Sequence, residues 1–250
     1  MSFDHKASDW DANPMHVERA NAIAACMRRH AHLAPPMHGF EFGCGTGLLS
    51  FALRDAFGTI TLADTSTGML EVLRGKIAAA GIAHMQPLRI DLLADPKPAE
   101  RYDVVYSAMT LHHVADTRRI LEAWREILVD GGTLCIADLD AEDGSFHDDG
   151  DTEVHHGFAR AALQALAEAC GYTDVHFDTA YTVKKLRGDA PREYLDAMLR
   201  AIVGFALPIR RLEGKWKLGQ NRSAADQAGV RDGLAASPSP GDRELAARMS

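Results

Sequence analysis

The sequence lacks the features that mark membrane-spanning, secreted and general nucleic-acid-binding proteins. It holds no apolar run of about 18 residues, so we expect no transmembrane helix. The first twenty residues have neither a basic start nor an apolar core, which argues against a secretory signal. A net charge of −8 disfavours binding to nucleic acids or anionic membranes. We therefore expect a cytoplasmic protein with no nucleic-acid or membrane partner.

Cysteine pairs are also missing. The four cysteines, Cys26, Cys44, Cys135 and Cys170, are scattered and form no CxxC motif. Such spacing favours reduced thiols over a disulfide framework or a zinc site.

Short apolar strands alternate with helical patterns from Gly39 to about Leu139. The alternation predicts an α/β fold with a doubly wound, mostly parallel sheet that is covered by helices on both faces. The predicted strands are 39–43, 59–64, 85–93, 102–107 and 133–139, and helices are predicted over 48–57, 66–81 and 115–132. In such sheets ligands bind at the carboxyl ends of the strands.

A glycine-rich loop, FEFGCGTGL, follows the first predicted strand. Gly43 and Gly45 let the backbone lie close to a ligand. The NAD fingerprint G-x-G-x-x-G/A requires a small residue where this chain has Leu48. Glu41 is poorly placed for a pyrophosphate and well placed for an ammonium or sulfonium group. An NAD-dependent Rossmann oxidoreductase is therefore the weaker interpretation of this loop.

Two carboxylates end the next strands. Asp64, which is 21 residues after Gly43, could accept both hydroxyl hydrogens of a ribose, and Asp91 could accept from an adenine amino group. Each feature alone is weak, because a strand-end Asp is often a helix cap. Their occurrence in register on successive strands predicts a nucleoside site.

Five segments, in this order, resemble the motifs of the class I S-adenosylmethionine-dependent methyltransferases. They are EFGCGTG (41–47), ADTSTGML (63–70), RIDLL (89–93), YDVVYSAMTLHHVAD (102–116) and LVDGGTLCIADL (128–139). The resemblance is dense over residues 39–140. It implies a Rossmann-like sheet of the seven-strand type, S-adenosylmethionine as the cofactor, and methyl transfer to a small-molecule acceptor by in-line displacement.

The same resemblance implies roles for individual residues. The loop from Glu41 to Gly47 would hold the methionine portion, Asp64 with Thr65 the ribose, and Asp91 with Leu92 the adenine. Backbone groups near Ser107 would receive the methionine ammonium. The implied cofactor-binding residues are Glu41, Gly43, Cys44, Gly45, Gly47, Asp64, Thr65, Asp91, Leu92, Ser107 and Met109. Cys44 is expected to pack rather than to react.

His112 is the candidate catalytic base, since it follows the fourth strand beside the expected methyl position. A pocket-shaping role is the alternative, and a base is needed only if the acceptor must lose a proton. The stretch Asp138 to His156 holds eight acidic residues and three histidines without a metal-binding spacing. It predicts an acidic, solvated lid, which would favour a cationic or amine-bearing acceptor, and no metal site.

The end of the chain departs from the pattern. From residue 186 onwards, 11 Lys and Arg oppose 8 Asp and Glu (+3), which leaves −11 of the total charge for residues 1–185. We expect the methyltransferase domain at 1–185, with an N-terminal helical cap over 1–35, and an atypical tail at 186–250.

The tail itself has two interpretations. The segment YLDAMLRAIVGFALP shows helical spacing where the family has its last strand, and the tail is therefore predicted to be helical or partly disordered. It could form an extra helix, for homodimerisation or to cover the substrate, followed by a disordered end. Alternatively, the reading frame departs from the ancestral one near residue 194. A non-catalytic cofactor-binding protein remains the alternative function.

Overall fold

The computed structural model describes residue 4 and residues 7–142, 155–182 and 202–208, the last of these as backbone only. These described residues form five α-helices and seven strands. The helices are α1 (Pro14–His30), α2 (Leu48–Leu53), α3 (Thr67–Ala80), α4 (Thr117–Ile127) and α5 (Arg160–Ala169). The strands are β1 (His38–Phe42), β2 (Thr59–Asp64), β3 (Met85–Arg89), β4 (Tyr102–Ala108), β5 (Leu128–Asp138), β6 (Asp178–Tyr181) and β7 (Ile202–Pro208).

The first five strands form a parallel sheet in the order β3-β2-β1-β4-β5. From β1 the chain adds β2 and β3 on one side of the sheet and then β4 and β5 on the other side. This change of side confirms the predicted doubly wound α/β architecture. It also brings the loops after β1, β2, β4 and β5 to one edge of the sheet.

Two apolar layers enclose the sheet. Leu62 and Tyr106 face a layer with α1, α2 and α3, whereas Ala63 and Val105 face a layer with α4 and α5. Adjacent residues of one strand thus enter opposite layers, as the two-residue period of a strand requires. Because both faces are covered, most residues of β1, β2 and β4 are buried or half-buried.

Local capping explains where α3 begins and ends. The Ser66 hydroxyl accepts a hydrogen bond from the backbone N–H of Met69 (3.2 Å), and Gly81 ends the helix at a φ of +64°. Both signals were predicted from the sequence and are confirmed. None of the helices in the described part of the chain is long and apolar enough to cross a membrane.

The boundary between α4 and β5 corrects the predicted helix over 115–132. The helix ends at Ile127, and the strand starts at once with Leu128. The glycines at 131 and 132, expected to stop the helix, instead lie in β5, whose pairing with β4 shifts register between Tyr102 and Val104. An irregular strand tolerates glycines that would otherwise end an element.

The segment IVGFALP corrects the helical prediction for the start of the tail. Ile202–Pro208 is a strand, β7, which pairs antiparallel with both β5 and β6. A short apolar run fits a buried strand and a helix equally well, so the spacing of its apolar residues could not distinguish the two. The sheet thus continues past residue 185, and Met1–Leu212 form one compact unit. Leu195, Met198, Leu199 and the rest of the tail lie outside the described residues.

Candidate active site

The glycine loop turns from β1 into α2 through three residues with positive φ. These are Gly43 (+67°), Gly45 (+53°) and Gly47 (+81°). Residues with a Cβ rarely adopt such φ values. The Cys44 N–H donates to the carbonyl of Ala63 on β2 (3.0 Å), which holds the loop against the neighbouring strand end.

The loop glycines differ in their surroundings. A Cβ on Gly43 would lie 2.8 Å from the Thr110 Cβ and closer still to that side chain's outer atoms. A Cβ on Gly45 would have the Met69 sulfur, at 4.0 Å, as its nearest neighbour. Gly43 is therefore required by packing within the protein, whereas Gly45 keeps one backbone surface open.

Asp64 ends β2 and binds the loop. Its carboxylate accepts hydrogen bonds from the N–H groups of Gly45 (2.7 Å) and Ser66 (2.8 Å). Burial raises the pKa of Asp64, although its bonds to backbone N–H groups oppose that shift. A carboxylate has about four lone-pair sites, so Asp64 can accept further donors while it holds the loop.

Glu41 is an internal group at the junction of β1 and α2. It is 3% exposed, and its carboxylate accepts a short hydrogen bond from the Ser50 hydroxyl, which also bonds the Tyr106 hydroxyl (2.7 Å). Burial raises the pKa of Glu41 to about 8. The carboxyl group is therefore largely protonated at neutral pH, which sequence analysis could not show.

The N-terminal segment is tied to the same loops. Asp4 accepts hydrogen bonds from the Ser66 hydroxyl (2.6 Å) and the Gly68 N–H (2.8 Å). Asp11 accepts from the Thr46 hydroxyl (2.5 Å) and pairs with Lys76 (2.5 Å). Both carboxylates thus fasten the segment before α1 to the glycine loop and to the start of α3.

We expect Asp11→Asn to lower the free energy of unfolding by about 1 kcal/mol, because it breaks a partly buried ion pair. Urea unfolding, with limited proteolysis of the N-terminal segment, measures the effect. Asp9→Asn is the control, since Asp9 is exposed and lies in the same segment. Equal losses in the two variants would contradict a specific role for Asp11.

The residues after β2 and β3 divide between surface and core. Thr65 and Asp91 are exposed, and the Asp91 carboxylate accepts from the Leu93 N–H (2.9 Å). Leu92 is 2% exposed and packs in the core, so only its backbone could face a ligand.

Cys44 is 6% exposed, and burial raises the pKa of its thiol well above the usual value.

The end of β4 forms a tight junction with β1 and β5. The Ser107 hydroxyl donates to the carbonyl of Phe42 (2.9 Å), and the Met109 N–H donates to the carbonyl of Ala137 (2.8 Å). Met109 has a φ of +55°, an unfavourable value for a non-glycine residue. Such strain persists only where surrounding contacts enforce it, and it is frequent at functional sites.

His112 is held by a buried carboxylate. Asp138, at the end of β5, lies 2.7 Å from His112 Nδ1, and the two side chains are 3% and 2% exposed. Asp138 also accepts from the N–H groups of Thr110 (3.1 Å), Leu111 (2.8 Å) and Leu139 (2.8 Å). Since an ionised carboxylate only accepts, Nδ1 carries a proton, which leaves the lone pair of a neutral imidazole on Nε2.

The structural roles of Asp138 and His155 were not predicted from the sequence. Both were assigned to the acidic lid, but the His155 N–H donates to the carbonyl of His112 (2.7 Å). Asp140, another residue of that stretch, pairs with Arg160 (2.7 Å). Residues 143–154 lie outside the described part. The sequence hints at the pair, because His112 follows β4 and Asp138 ends β5. Only the pairing of β4 with β5 brings the two side chains together.

The cluster Cys26, His30 and Asp178 is the one group of potential metal ligands found among the described residues. The candidate atoms lie within 4.8 Å of one another. The Asp178 carboxylate already pairs with His30 (2.9 Å) and Arg29 (3.1 Å), so the cluster is explained as an ion-pair contact between α1 and β6.

Comparison with known proteins identifies this architecture. A family described as "Methyltransferase domain" matches residues 40–134. A ubiquinone biosynthesis O-methyltransferase of Idiomarina loihiensis is 34% identical over 100 residues, 40% of this chain and 41% of that protein. An uncharacterized methyltransferase of Mycobacterium tuberculosis is 31% identical over 96 residues, 38% of this chain and 47% of that protein. The chain thus spans less than half the length of either relative.

Solved structures share the fold at lower identity. A Haloferax volcanii putative methyltransferase, solved in complex with the Trm112 activator, has a TM-score of 0.69 and 18% identity, covering 84% of this chain and 98% of its own. The N-methyltransferase NodS of Bradyrhizobium japonicum, solved with S-adenosylhomocysteine, has a TM-score of 0.59 and 16% identity, covering 80% and 90%. These matches show that residues 40–134 are similar to a methyltransferase domain and that the chain shares the fold of solved methyltransferases.

Proposed function

We propose that the protein transfers a methyl group from S-adenosylmethionine to a small-molecule acceptor. The observation that carries the proposal is the positive-φ glycine loop bonded to Asp64 at the neighbouring strand end. Gly45 exposes backbone there, and Asp64 can accept additional hydrogen bonds. This combination fits a nucleoside with an amino-acid arm.

We assign the donor site to the edge formed by the ends of β1, β2, β3 and β4. Asp64 binds the ribose hydroxyls with Thr65 beside it, and Asp91 and the backbone of Leu92 address the adenine. The amino-acid arm lies along the loop from Glu41 to Gly47, and Ser107 and Met109 place backbone groups beside it. The sheet order, with β7 between β5 and β6, supports assignment to the seven-strand type.

The chemistry demands positioning above all. The bound donor supplies an electrophilic methyl group on a sulfonium, and the thioether that leaves needs no proton. The protein has to align the acceptor and exclude water, which can supply about 7–11 kcal/mol. The tight junction at Ser107 and Met109 contributes to that task, since a rigid wall holds the amino-acid arm of the donor in one orientation.

Calorimetric titration with S-adenosylmethionine, S-adenosylhomocysteine and NAD tests the proposal. We expect the two adenosyl ligands to bind and NAD not to bind. Binding of NAD alone would contradict the proposal. Product binding without turnover over a broad acceptor panel would favour a non-catalytic cofactor-binding protein.

His112 is our candidate base for an acceptor that must lose a proton, with Asp138 holding its ring. His112→Gln should lower kcat about 100-fold, because general bases contribute about 10²–10⁴ in rate. His113→Gln, at the next position, is the matched control. A loss below about tenfold would assign His112 to the pocket wall.

The remaining partner assignments follow from composition. A net charge of −8 supports a small-molecule acceptor over a nucleic acid. On the same sequence grounds we propose a cytoplasmic location. We also propose a homodimer that involves the tail. Sedimentation of the full chain against one ending at residue 212 measures the contribution of the tail to assembly.

A further inference from the structure

Cys26, His30 and Asp178 bring three different metal-binding groups together where α1 packs against β6. The thiol sulfur, the imidazole nitrogen and the carboxylate oxygen all lie within 4.8 Å of one another. Cys26 and His30 are four positions apart on α1, so their side chains project from one face of the helix. Asp178, the first residue of β6, meets them from the sheet. The fold therefore gathers at one point three ligand types that are distant in sequence.

The ion pairs of Asp178 account for the charges in this cluster but not for its thiol. Asp178 pairs with His30 (2.9 Å) and with Arg29 (3.1 Å). The Cys26 sulfur lies 3.7 Å from the same carboxylate oxygen, and Cys26 is 3% exposed. A thiol is a weak hydrogen-bond donor, so this contact contributes little as a hydrogen bond. As a thiolate, the same sulfur is one of the preferred ligands of zinc.

The distances in the cluster are close to those of a tetrahedral zinc site. Zinc binds cysteine sulfur at about 2.3 Å and histidine nitrogen or carboxylate oxygen at about 2.0–2.2 Å, which places the ligand atoms about 3.3–3.6 Å apart. The shared carboxylate oxygen lies 3.7 Å from the Cys26 sulfur and 2.9 Å from the His30 Nε2. Side-chain rotations that shift these atoms by about 1 Å or less reach the tetrahedral spacing. The side chains of His30 and Asp178 are 36% and 38% exposed, which gives a water molecule access as the fourth ligand.

We propose that Cys26, His30 and Asp178 bind a zinc ion. The Cys26 thiol gives its proton to solvent, and the ion binds the resulting thiolate, a neutral imidazole and a carboxylate. The two negative ligands balance the charge of Zn²⁺, so the site adds no net positive charge beside Arg29. Arg29 is exposed and turns from Asp178 into solvent. The second Asp178 oxygen keeps its hydrogen bond from the Thr179 N–H (2.7 Å), which orients the carboxylate toward the ion.

The ion fastens α1 to the edge of the sheet. β6 is the last strand in the sheet order, and the hydroxyl of its Tyr181 also donates to Glu18 of α1 (3.2 Å). Because the unfolded chain does not present the three ligands together, zinc binding adds to the free energy of unfolding. None of the ligands belongs to the assigned donor site, so the role of the ion is structural.

Cobalt substitution tests the proposal, because Co²⁺ takes the same ligands as Zn²⁺ and absorbs light. Protein freed of metal by a chelator is titrated with Co²⁺, and a thiolate ligand gives a near-ultraviolet charge-transfer band. Displacement of Co²⁺ by Zn²⁺ then gives the zinc affinity. The variants are Cys26→Ser, His30→Gln and Asp178→Asn. Cys170→Ser and His32→Gln are the matched controls, since Cys170 is also buried and His32 is also exposed, and neither lies in the cluster.

We expect wild type to bind one ion per chain, with a zinc Kd of about 1 μM or lower. Cys26→Ser should lose the charge-transfer band and at least about 100-fold in zinc affinity, and His30→Gln should lose about tenfold or more, because each removes a ligand. Saturating zinc should raise the Tm of wild type and of both control variants and leave that of Cys26→Ser unchanged.

A wild-type protein that gives no charge-transfer band with Co²⁺ would overturn the inference, as would a band that persists in Cys26→Ser, since it would come from another thiol. Equal zinc affinity in all variants would show binding at scattered surface groups and would overturn it too. If Cys26→Ser does not fold, the comparison of His30→Gln with His32→Gln decides, because both positions are exposed. Binding of S-adenosylhomocysteine by the same samples tests the proposed function separately, since the donor site shares none of these residues.

Discussion

Gly43→Ala should abolish donor binding, with a loss in affinity of about 1000-fold or more. The substitution would place a residue with a Cβ at a φ of +67°, and this Cβ would lie 2.8 Å from the Thr110 Cβ. Thr110 cannot rotate away without loss of its hydroxyl bonds to the carbonyls of Gly43 (3.3 Å) and Ala108 (3.1 Å). Backbone strain costs about 1–2 kcal/mol, and the clash displaces the loop as well.

Gly45→Ala separates the packing effect of Gly43 from the ligand effect. Its φ is similar, but its Cβ would have no neighbour nearer than 4.0 Å. We expect Gly45→Ala to fold with a loss of about 1 kcal/mol and to weaken S-adenosylhomocysteine binding, because its methyl group occupies the surface offered to the ligand. Calorimetry and thermal unfolding of both variants make the comparison. Tight donor binding by both would exclude the loop as the donor site.

The parallel core of the fold could be predicted from the sequence because its signals are local. Ser66 and Gly81 mark α3 through contacts with residues close in the chain. Continuous apolar runs predicted the five parallel strands, since burial on both faces leaves no polar alternation. Such signals weaken where one pattern suits two structures, as in Ile202–Pro208. There the choice of strand depends on the open edges of β5 and β6, which are distant in sequence.

The candidate site was predictable by residue type and less so by role. Asp64 lies at the expected strand end, but its bond to the Gly45 N–H is a tertiary feature. Asp138 was not among the predicted site residues, because its importance comes from burial and from partners on other elements. The charge pattern instead suggested a solvated acidic lid. Burial determines which charges matter, and composition does not record burial.

Glu41→Gln should stabilise the protein at alkaline pH and have little effect at acidic pH. The ordinary pKa of the carboxyl, 4.5, applies to the unfolded chain, whereas burial raises the pKa in the folded protein to about 8. Below pH 4.5 both states hold the proton, and Glu41 imposes no penalty. As the pH rises from 4.5 to about 8, the unfolded state releases its proton while the folded state retains it, so wild type loses stability.

The neutral amide of Gln removes that loss. Urea unfolding should show a gain on the order of 3–5 kcal/mol at pH 8–9 and less than about 1 kcal/mol at pH 5. Ser50→Ala is the control, because it leaves the carboxyl buried without its hydroxyl donor and should destabilise the protein. A Glu41→Gln effect that does not vary with pH would contradict a raised pKa.

If the charged form of Glu41 pairs with the sulfonium of the donor, Glu41→Gln will weaken binding of S-adenosylmethionine more than that of S-adenosylhomocysteine, which lacks the sulfonium. Donor binding by wild type near pH 7 will then release a proton, so its calorimetric enthalpy will depend on the buffer, and that dependence will vanish in Glu41→Gln. Equal losses for both ligands would instead assign Glu41 to the ammonium, which both ligands carry, or to shaping the loop.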